Sequence, residues 1–311
     1  MELINLDSFI NESKPLQLNN PLIVTIGMFD GVHLAHRALI KKMIDEAKRK
    51  KLKSGVITFN YHPDFVLEKR ENNGYLTNID EKIRMLNSMK IDYLFVITFT
   101  KEFSLISHED FESLLTKLNV KAVIAGRDAK YGYKGLGNIE TLKKTFEVIE
   151  FSDYYIDGEL IHSKNIRISL EKGEIEKANK LLGYNFYVRG IVTKGRQIGR
   201  TYNVKTANIE LNNEYDYLIS GVYGVKVIID DKEYIGICNI GNNPSFNYTF
   251  ARRLEVNIFD FNKDIYGKEI VVEMITFIRK EKKFNSKEEL KIQIEKDTKY
   301  YLDYLEEIRW K

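Results

Sequence analysis

The feature that most constrains the fold of this chain is a short apolar strand that runs through a glycine turn into a helix. The apolar run from Val24 stops at Gly27, and a helix follows the turn at Asp30. A helix start in this position presents unpaired backbone N–H groups and the positive end of the helix dipole, which favour phosphate. His33 and His36 lie three residues apart, so both can face a ligand there. The residues alone also leave open an ordinary turn followed by surface or capping histidines.

The first half of the chain alternates short apolar strands with amphipathic helices. The predicted strands are Val24–Ile26, Gly55–Phe59, Tyr93–Phe99, Ala122–Ala125 and Val148–Ile149. One predicted helix carries His33 and His36 near its start, and two others begin after Asn78 and Ser107. This alternation predicts a parallel sheet that is covered on both faces, with ligands outside the carboxyl ends of its strands. That rule places three segments around one cleft: Gly27–His36, Tyr61–Asp64 and Gly126–Asn138.

The pattern changes near Gly183, where a helix from Ile175 ends. Beyond it, evenly spaced turns separate short alternating strands, which predicts a small antiparallel barrel. The candidate strands are Tyr187–Val192, Thr206–Leu211, Val222–Ile229, Tyr234–Ile240, Leu254–Phe261 and Ile270–Ile278. Ser286 and Glu289 form a capping box for a final amphipathic helix. We therefore expect an α/β domain over residues 1–183 and a β-barrel domain with a terminal helix over residues 184–311.

The composition narrows the class of protein. At 311 residues, the chain is long enough for two domains with separate cores. The net charge of +3 gives no support to a nucleic-acid partner, and the single cysteine, Cys238, fits a reducing compartment. We recognise neither a signal peptide nor a membrane-spanning apolar run. We therefore expect a soluble, cytoplasmic protein with no nucleic-acid or membrane partner, acting as a monomer or weak homo-oligomer.

The stretch GMFDGVHLAH, from Gly27 to His36, resembles the Gly-x-Phe-Asp-Gly-Val-His-x-Gly-His signature of bacterial bifunctional riboflavin kinase/FAD synthetases. The resemblance implies that the first domain is a Rossmann-like nucleotidylyltransferase domain. It also implies catalytic roles for His33, His36 and Arg167, the last in a segment similar to the family's Ser-Ser-Thr-x-Ile-Arg motif. The implied nucleotide contacts of this domain are Gly27, Phe29, Asp30, Gly31, Asp128 and Ser163.

This first domain departs from the family pattern at several positions. Ala35 replaces the glycine between the two histidines, and its methyl group can crowd a nucleotide where close backbone approach is expected. The other departures are Ala129, Gly135, His162 and Lys164. The implied reaction, FMN adenylylation, needs no general base because the FMN phosphate is already ionised. The site must instead screen two anions and stabilise the departing pyrophosphate.

Residues 195–208 resemble the riboflavin kinase motif in which a glycine-rich loop leads into Pro-Thr-Ala-Asn, although a lysine replaces the proline here. The resemblance implies that Glu255 is the general base, a role that suits the poorly nucleophilic primary alcohol of riboflavin. A water-facing glutamate on an edge strand is the alternative. Thr206 and Asn208 carry oxygen ligands of the kind that Mg²⁺ prefers. The implied phosphate contacts are Gly195, Gly199 and Lys205.

The resemblance implies two activities: phosphorylation of riboflavin to FMN by ATP in the C-terminal domain, and adenylylation of FMN to FAD with release of pyrophosphate in the N-terminal domain. ATP, riboflavin, FMN and FAD are then substrates or products, and Mg²⁺ is the implied cofactor. One alternative is a riboflavin kinase with weak or lost adenylyltransferase activity. Another is a non-catalytic regulator that binds flavin nucleotides and acts on RNA or protein, against which the retained Glu255, Thr206 and Asn208 argue.

Overall fold

The computed structural model describes residues 1–11, 18–68, 74–193, 206–211, 215, 217–242 and 252–309. Its contacts divide the chain into two compact units, Met1–Ser163 and Lys164–Lys311. Each unit contains its own large sheet. The predicted domain boundary at Gly183 lies inside the second unit and stays a prediction.

The large sheet of the first unit is parallel. Its strands are β1 (Glu2–Asn5), β2 (Leu22–Ile26), β3 (Lys53–Phe59), β4 (Tyr93–Ile97), β5 (Val120–Gly126) and β6 (Glu147–Phe151). Within the described residues they follow the order β1-β4-β3-β2-β5-β6, and every neighbouring pair is parallel. The predicted parallel sheet is therefore confirmed. The sequence pattern does not predict β1, because this short strand lies at the sheet edge with mostly exposed side chains.

Helices cover both faces of this sheet. They are α1 (Asp7–Asn11), α2 (Leu34–Lys50), α3 (Pro63–Val66), α4 (Ile79–Ser88), α5 (His108–Lys117) and α6 (Ile139–Leu142). Successive residues of a strand point to opposite faces of a sheet. Ile23 of β2 accordingly packs with Ile40 and Met43 of α2. Its neighbour Val24 packs with Phe111 and Leu115 of α5, as the predicted two-sided core requires.

The predicted starts of α4 and α5 are confirmed by side-chain caps. Asn78 accepts a hydrogen bond from the Glu81 N–H at 2.9 Å, and Ser107 accepts one from the Asp110 N–H at 3.0 Å. These bonds satisfy donors that the helix itself leaves unpaired. Near the end of the unit, a small antiparallel hairpin consists of β7 (Tyr155–Ile156) and β8 (Glu159–Leu160).

Two helices precede the sheet of the second unit along the chain, and the first of them begins at Ser163, the last residue of the first unit. The elements are α7 (Ser163–Lys172), α8 (Ile175–Leu182), β9 (Tyr187–Ile191), β10 (Thr206–Leu211), β11 (Gly221–Ile229), β12 (Lys232–Asn242), β13 (Arg252–Ile258), β14 (Glu269–Lys280) and α9 (Lys287–Arg309). Within the described residues the strands form an antiparallel sheet in the order β10-β13-β12-β11-β14-β9. A bridge between Thr193 and Asn208 joins its two edges. The predicted small antiparallel barrel is confirmed.

The predicted terminal helix is present as α9, and it packs on this barrel. Tyr301 is fully buried, and its ring lies against Gly224 of β11, where a side chain would collide with it. Arg279 of β14 makes a bidentate ion pair with the buried Asp297 of α9, with a shortest distance of 2.8 Å.

The predicted capping box of α9 differs in one bond. Ser286 accepts a hydrogen bond from the Glu289 N–H at 3.1 Å, as expected. The Glu289 carboxylate, however, accepts its bond from the N–H of Asn285 at 3.0 Å rather than from that of the cap residue. Across the described ranges, we find no helix that is both long and apolar enough to cross a membrane.

Candidate active sites

The turn between β2 and α2 has an unusual backbone. Phe29, Gly31 and Val32 all adopt positive φ angles, of 49°, 81° and 34°. Glycine adopts such angles without steric cost, so Gly31 fits its position while the other two residues are strained. Strain of this kind costs about 1–3 kcal/mol per residue, persists only where surrounding contacts impose it, and clusters at functional sites. Gly27, at the start of the turn, donates its N–H to the Ile57 carbonyl at 3.1 Å.

Two remote segments hold Asp30 in this turn. Its buried carboxylate accepts hydrogen bonds from the N–H groups of Leu76 at 2.8 Å and Thr77 at 3.3 Å. The Thr77 hydroxyl in turn accepts the N–H of Gly31 at 3.0 Å. The Ser163 hydroxyl donates to the Asp30 carbonyl at 2.9 Å. Three predicted nucleotide contacts thus lie together, and these bonds stabilise the turn; their contact with a nucleotide stays a prediction.

The two histidines lie side by side at the start of α2. His33 is the N-cap residue, and its Nδ1 accepts the N–H of His36 at 3.4 Å. A neutral imidazole that accepts at Nδ1 carries its proton on Nε2. The two rings are stacked with centroids 3.6 Å apart, and the ring of Phe29 meets that of His36 edge-on at 5.1 Å. The capping alternative is therefore correct for His33, and the pair also shares one face as predicted.

The environment of His36 disfavours its charged form. Its Nδ1 is buried and has no hydrogen-bond partner in the part of the chain that the structure describes. Burial lowers the pKa of this imidazole well below its usual value, and electrostatic interactions with His33, Lys82 and His162 lower it further. His36 is consequently neutral at pH 7. The Lys82 ammonium group favours an anion bound nearby.

Lys82 is a residue of this site that sequence reasoning missed. It lies on the inward face of α4, one turn before Leu86, and is only 2% exposed. Its Nζ donates to the Phe59 carbonyl at 3.1 Å and to the Thr58 hydroxyl at 3.4 Å. Burial lowers the pKa of Lys82 to about 8, and Asp30 opposes that shift. A lysine on the apolar face of an amphipathic helix is the signal that could have identified it.

The glycine-rich loop Gly126–Asn138 is packed against neighbouring helices. Gly132 has a φ of +70°, and a side chain there would come within 2.8 Å of the His108 backbone. The Tyr131 hydroxyl is hydrogen-bonded to side chains of α5 and α6. Asp128, the predicted nucleotide contact of this loop, is exposed. Two of the departures from the family pattern, Ala129 and Gly135, also lie here.

The remaining residues of the first predicted site divide between the two units. Ala35 is half-buried in the first turn of α2, and His162 is exposed. Lys164 and Arg167 belong to the second unit, where Lys164 is exposed and Arg167 is buried in α7. A role for Arg167 beside the two histidines stays a prediction.

Glu255 lies in register between two asparagines. It pairs with Asn208 of β10 on one side and with Asn239 of β12 on the other. Directly paired residues share one face of an antiparallel sheet, about 5 Å apart. The carboxylate is exposed, but β13 is an interior strand of the sheet, so the edge-strand alternative is wrong. The register places a candidate base beside two amide groups.

Thr206 and Asn208 lie on one face of β10, and the residues of β13 that pair with them lie on the same face of the sheet. Thr206 pairs with Asn257, and Asn208 pairs with Glu255. Mg²⁺ commonly takes one or two carboxylates and completes its ligands with phosphates and water. Thr206 and Asn208 offer a hydroxyl and an amide oxygen, which phosphate and water would complete, while Glu255 beside them is the candidate base. Among the described residues, we find no group of three His, Cys, Asp or Glu side chains that could hold a metal ion without such help.

Two further residues of the second unit, Arg252 and Glu281, contact the strands that pair around Glu255. The buried Arg252 donates to the Tyr215 carbonyl at 2.9 Å and so fixes the start of β13. The Glu281 carboxylate occupies the space that a side chain at Gly241 would need, beside the amide of Asn239. Sequence reasoning assigned no individual role to these residues. The predicted phosphate contacts Gly195, Gly199 and Lys205 lie outside the described residues.

The two halves of the chain match two sequence families. The FAD synthetase family matches residues 16–169, and the riboflavin kinase family matches residues 182–305. Proteins described as bifunctional riboflavin kinase/FMN adenylyltransferases from Listeria monocytogenes and Bacillus subtilis are 39% and 36% identical to this chain. These alignments cover 88% and 92% of this chain and 90% and 93% of the relatives. The chain belongs to the bifunctional riboflavin kinase/FMN adenylyltransferase family.

A solved structure supports the fold of this family member along nearly its whole length. A crystal structure described as a macrolide-efflux protein from Streptococcus pneumoniae matches with a TM-score of 0.86 and 30% identity, covering 96% of this chain and 98% of that chain. The predicted membership of the bifunctional riboflavin kinase/FMN adenylyltransferase family, the predicted fold class and the prediction of a transferase are all confirmed.

Proposed function

We propose that the barrel of the second unit transfers the γ-phosphoryl group of ATP to riboflavin, and that the first unit transfers the adenylyl group of ATP to the resulting FMN. A family match to each half of the chain supports the two activities. In this proposal, residues 1–183 form the FMN adenylyltransferase domain and residues 184–311 form the riboflavin kinase domain.

In the kinase reaction, Glu255 accepts the proton of the primary hydroxyl of riboflavin while that oxygen attacks the γ-phosphorus. The bond between this phosphorus and the leaving ADP oxygen breaks. The register of Glu255 with Asn208 carries the proposal, because it aligns a base with oxygen ligands for the metal. Thr206 and Asn208 would hold Mg²⁺, which neutralises phosphate charge when it is bound. The proposed phosphate contacts are Gly195, Gly199 and Lys205.

In the adenylyl transfer, a phosphate oxygen of FMN attacks the α-phosphorus of ATP, and pyrophosphate leaves as its bond to that phosphorus breaks. His33 and His36 stabilise the phosphates at the N-terminus of α2, where the helix dipole also favours negative charge. Arg167 neutralises charge on the departing pyrophosphate. The proposed nucleotide contacts are Gly27, Phe29, Asp30, Gly31, Asp128 and Ser163.

The test is chromatography of the products after the full chain has been incubated with Mg-ATP and either riboflavin or FMN. We expect FMN from riboflavin and FAD from FMN. FMN without FAD would show that the first domain has lost its activity, and the departures at Ala35, His162 and Lys164 would be the first to revert. If neither product forms, the proposal is wrong.

We further propose that the protein works in the cytoplasm, without a nucleic-acid or membrane partner, as a monomer or weak homo-oligomer. The net charge of +3 supports this proposal, because nucleic-acid binding depends on many cationic contacts. Analytical ultracentrifugation of the full chain measures the oligomeric state directly.

A further inference from the structure

Lys82 is buried where a charged side chain requires an explanation. Lysine is almost never fully buried unless it is paired with an opposite charge. Lys82 is 2% exposed, and no carboxylate in the described ranges forms an ion pair with it. Asp30 acts on it through a longer distance. The ammonium group therefore remains inside the unit with neutral hydrogen-bond partners.

Those partners connect Lys82 to the strained turn. Its Nζ donates to the Phe59 carbonyl at 3.1 Å and to the Thr58 hydroxyl at 3.4 Å, at the carboxyl end of β3. The Thr58 hydroxyl donates in turn to the Met28 carbonyl at 3.1 Å. Met28 directly precedes Phe29, the first residue of the turn with positive φ. One hydroxyl group thus links the ammonium group to the strained backbone.

The segment that carries Lys82 holds the turn at a second point. Leu76 and Thr77 hold the Asp30 carboxylate, and Lys82 supports Met28 through Thr58. Both sets of bonds come from the short segment that runs into and through the first turn of α4. Strained conformations persist only where several contacts determine them together, and this arrangement supplies such contacts.

The charge of Lys82 also acts on the histidines. After burial, electrostatic interactions with three groups of the unit lower the pKa of His36, namely His33 at the start of α2, Lys82 on α4 and His162. Asp30 is the carboxylate that acts on Lys82, and it opposes the lowering of the Lys82 pKa by burial. The charge of Lys82 adds to the effect of burial, which is the largest cause of the lowered His36 pKa, and it also attracts phosphate.

We propose that Lys82 is a positioning residue for adenylyl transfer, because it holds Thr58 against Met28 and thereby fixes the turn that presents His33 and His36 to the nucleotide. This inference rests on the proposed adenylyltransferase function of the first unit. Lys82 acts from inside the unit and does not touch the substrate.

Three variants of the full chain test this assignment: Lys82→Met, Thr58→Val and the double variant. Valine has nearly the shape of threonine, so Thr58→Val removes the linking hydroxyl with little change in packing. We expect Lys82→Met to lower kcat for FAD formation about 10- to 100-fold, the effect of a small misplacement of reacting groups, with little change in KM for ATP. The double variant should be no worse than Lys82→Met, since both changes break one linkage.

The chain supplies its own controls. FMN formation from riboflavin, measured on the same preparations, should be unchanged in all three variants. Lys90→Met, at an exposed lysine just after the same helix, should leave FAD formation unchanged. Thermal unfolding of each variant separates a loss of fold from a loss of positioning, and Thr58→Val keeps the test valid if Lys82→Met does not fold.

A second readout does not depend on turnover. Removal of the Lys82 charge should move the NMR titration of the His36 imidazole to higher pH, and Thr58→Val, which keeps the charge, should not. The acidic limb of the pH profile for FAD formation should move in the same direction. Unchanged FAD formation in Lys82→Met, additive effects of the two changes, or an unmoved His36 titration would each overturn the assignment. A wild-type chain that forms no FAD would instead refute the proposed function on which it rests.

Discussion

The carboxylate of Asp30 accepts a 2.8 Å hydrogen bond from the backbone N–H of Leu76, which connects the turn between β2 and α2 to a segment far along the chain. Thr77 donates to the same oxygen at 3.3 Å, and both donors belong to buried residues. Asp30→Ala leaves these donors without a partner, so we expect a loss of about 2–4 kcal/mol of stability. Asp30→Asn keeps an acceptor oxygen and should cost much less.

Hydrogen–deuterium exchange on the full chain measures this difference locally. The amides of Leu76 and Thr77 should exchange faster in Asp30→Ala than in Asp30→Asn. Equal protection in the two variants would contradict the role of the Asp30 carboxylate as their acceptor.

Removal of the candidate base should affect one activity alone. Glu255→Gln keeps the shape of the side chain but cannot accept the riboflavin proton, so we expect FMN formation to fall about 10²- to 10⁴-fold. FAD formation from supplied FMN should not change. The matched control is Glu233→Gln, an exposed glutamate of β12 that pairs with Lys226 at 3.0 Å. Kinase activity that survives in Glu255→Gln would assign the base elsewhere.

The lowered pKa of His36 should make the stability of the folded chain depend on pH. Its pKa in the folded chain is lower than the unfolded value near 6.5, because burial and neighbouring positive charges disfavour the imidazolium form. Between the two values the unfolded chain binds more protons, so this contribution to stability is complete above about pH 6.5 and is lost as the pH falls toward the folded pKa. The melting temperature of the wild type should therefore fall more between about pH 6.5 and 5 than that of His36→Gln. Differential scanning calorimetry measures both, and parallel curves would contradict the assignment.

Two glycines with similar backbone angles should respond differently to substitution. Gly132 has a φ of +70° and Gly158 a φ of +79°, so alanine is strained by about 1 kcal/mol at either position. A methyl group at Gly132 would also meet the His108 backbone at 2.8 Å, whereas nothing lies within 4 Å at Gly158. We expect Gly132→Ala to cost about 1–3 kcal/mol more than Gly158→Ala. Thermal unfolding of the two variants gives the comparison, and equal melting temperatures would show that the loop accommodates the methyl group.

Local signals in the sequence were sufficient for most strands of the two large sheets, for the helices α2, α4, α5, α8 and α9, and for part of the first site. The strand, turn and helix from Val24 onward are encoded by neighbouring residues, as is the shared face of His33 and His36. The stacking of the two rings goes beyond that prediction. The faces of β2 follow from simple alternation. Signals of this kind depend on residues within one helical turn or a few strand positions.

The contacts that hold the sites could not be predicted in the same way. Lys82 and Thr58 meet because α4 and β3 pack together, and nothing in either segment names the other as its partner. Asn208 and Glu255 are paired because β13 returns beside β10 after two intervening strands. Residue patterns give the face of a strand, whereas its register depends on the pairing of the complete sheet.

The bridge between Thr193 and Asn208 is the point at which the two edges of the sheet meet and close the barrel. In the described residues, the first and last strands of the sheet are joined at this one rung, where the Asn208 carbonyl accepts the Thr193 N–H at 2.8 Å. Because a single bridge closes the barrel, we expect local opening to occur there before it occurs between the continuously hydrogen-bonded strands. The backbone of Asn208 forms this bridge, and the same residue pairs with Glu255 of β13. Local opening at this bridge would therefore displace the strand residue that pairs with Glu255, the proposed base of the kinase reaction.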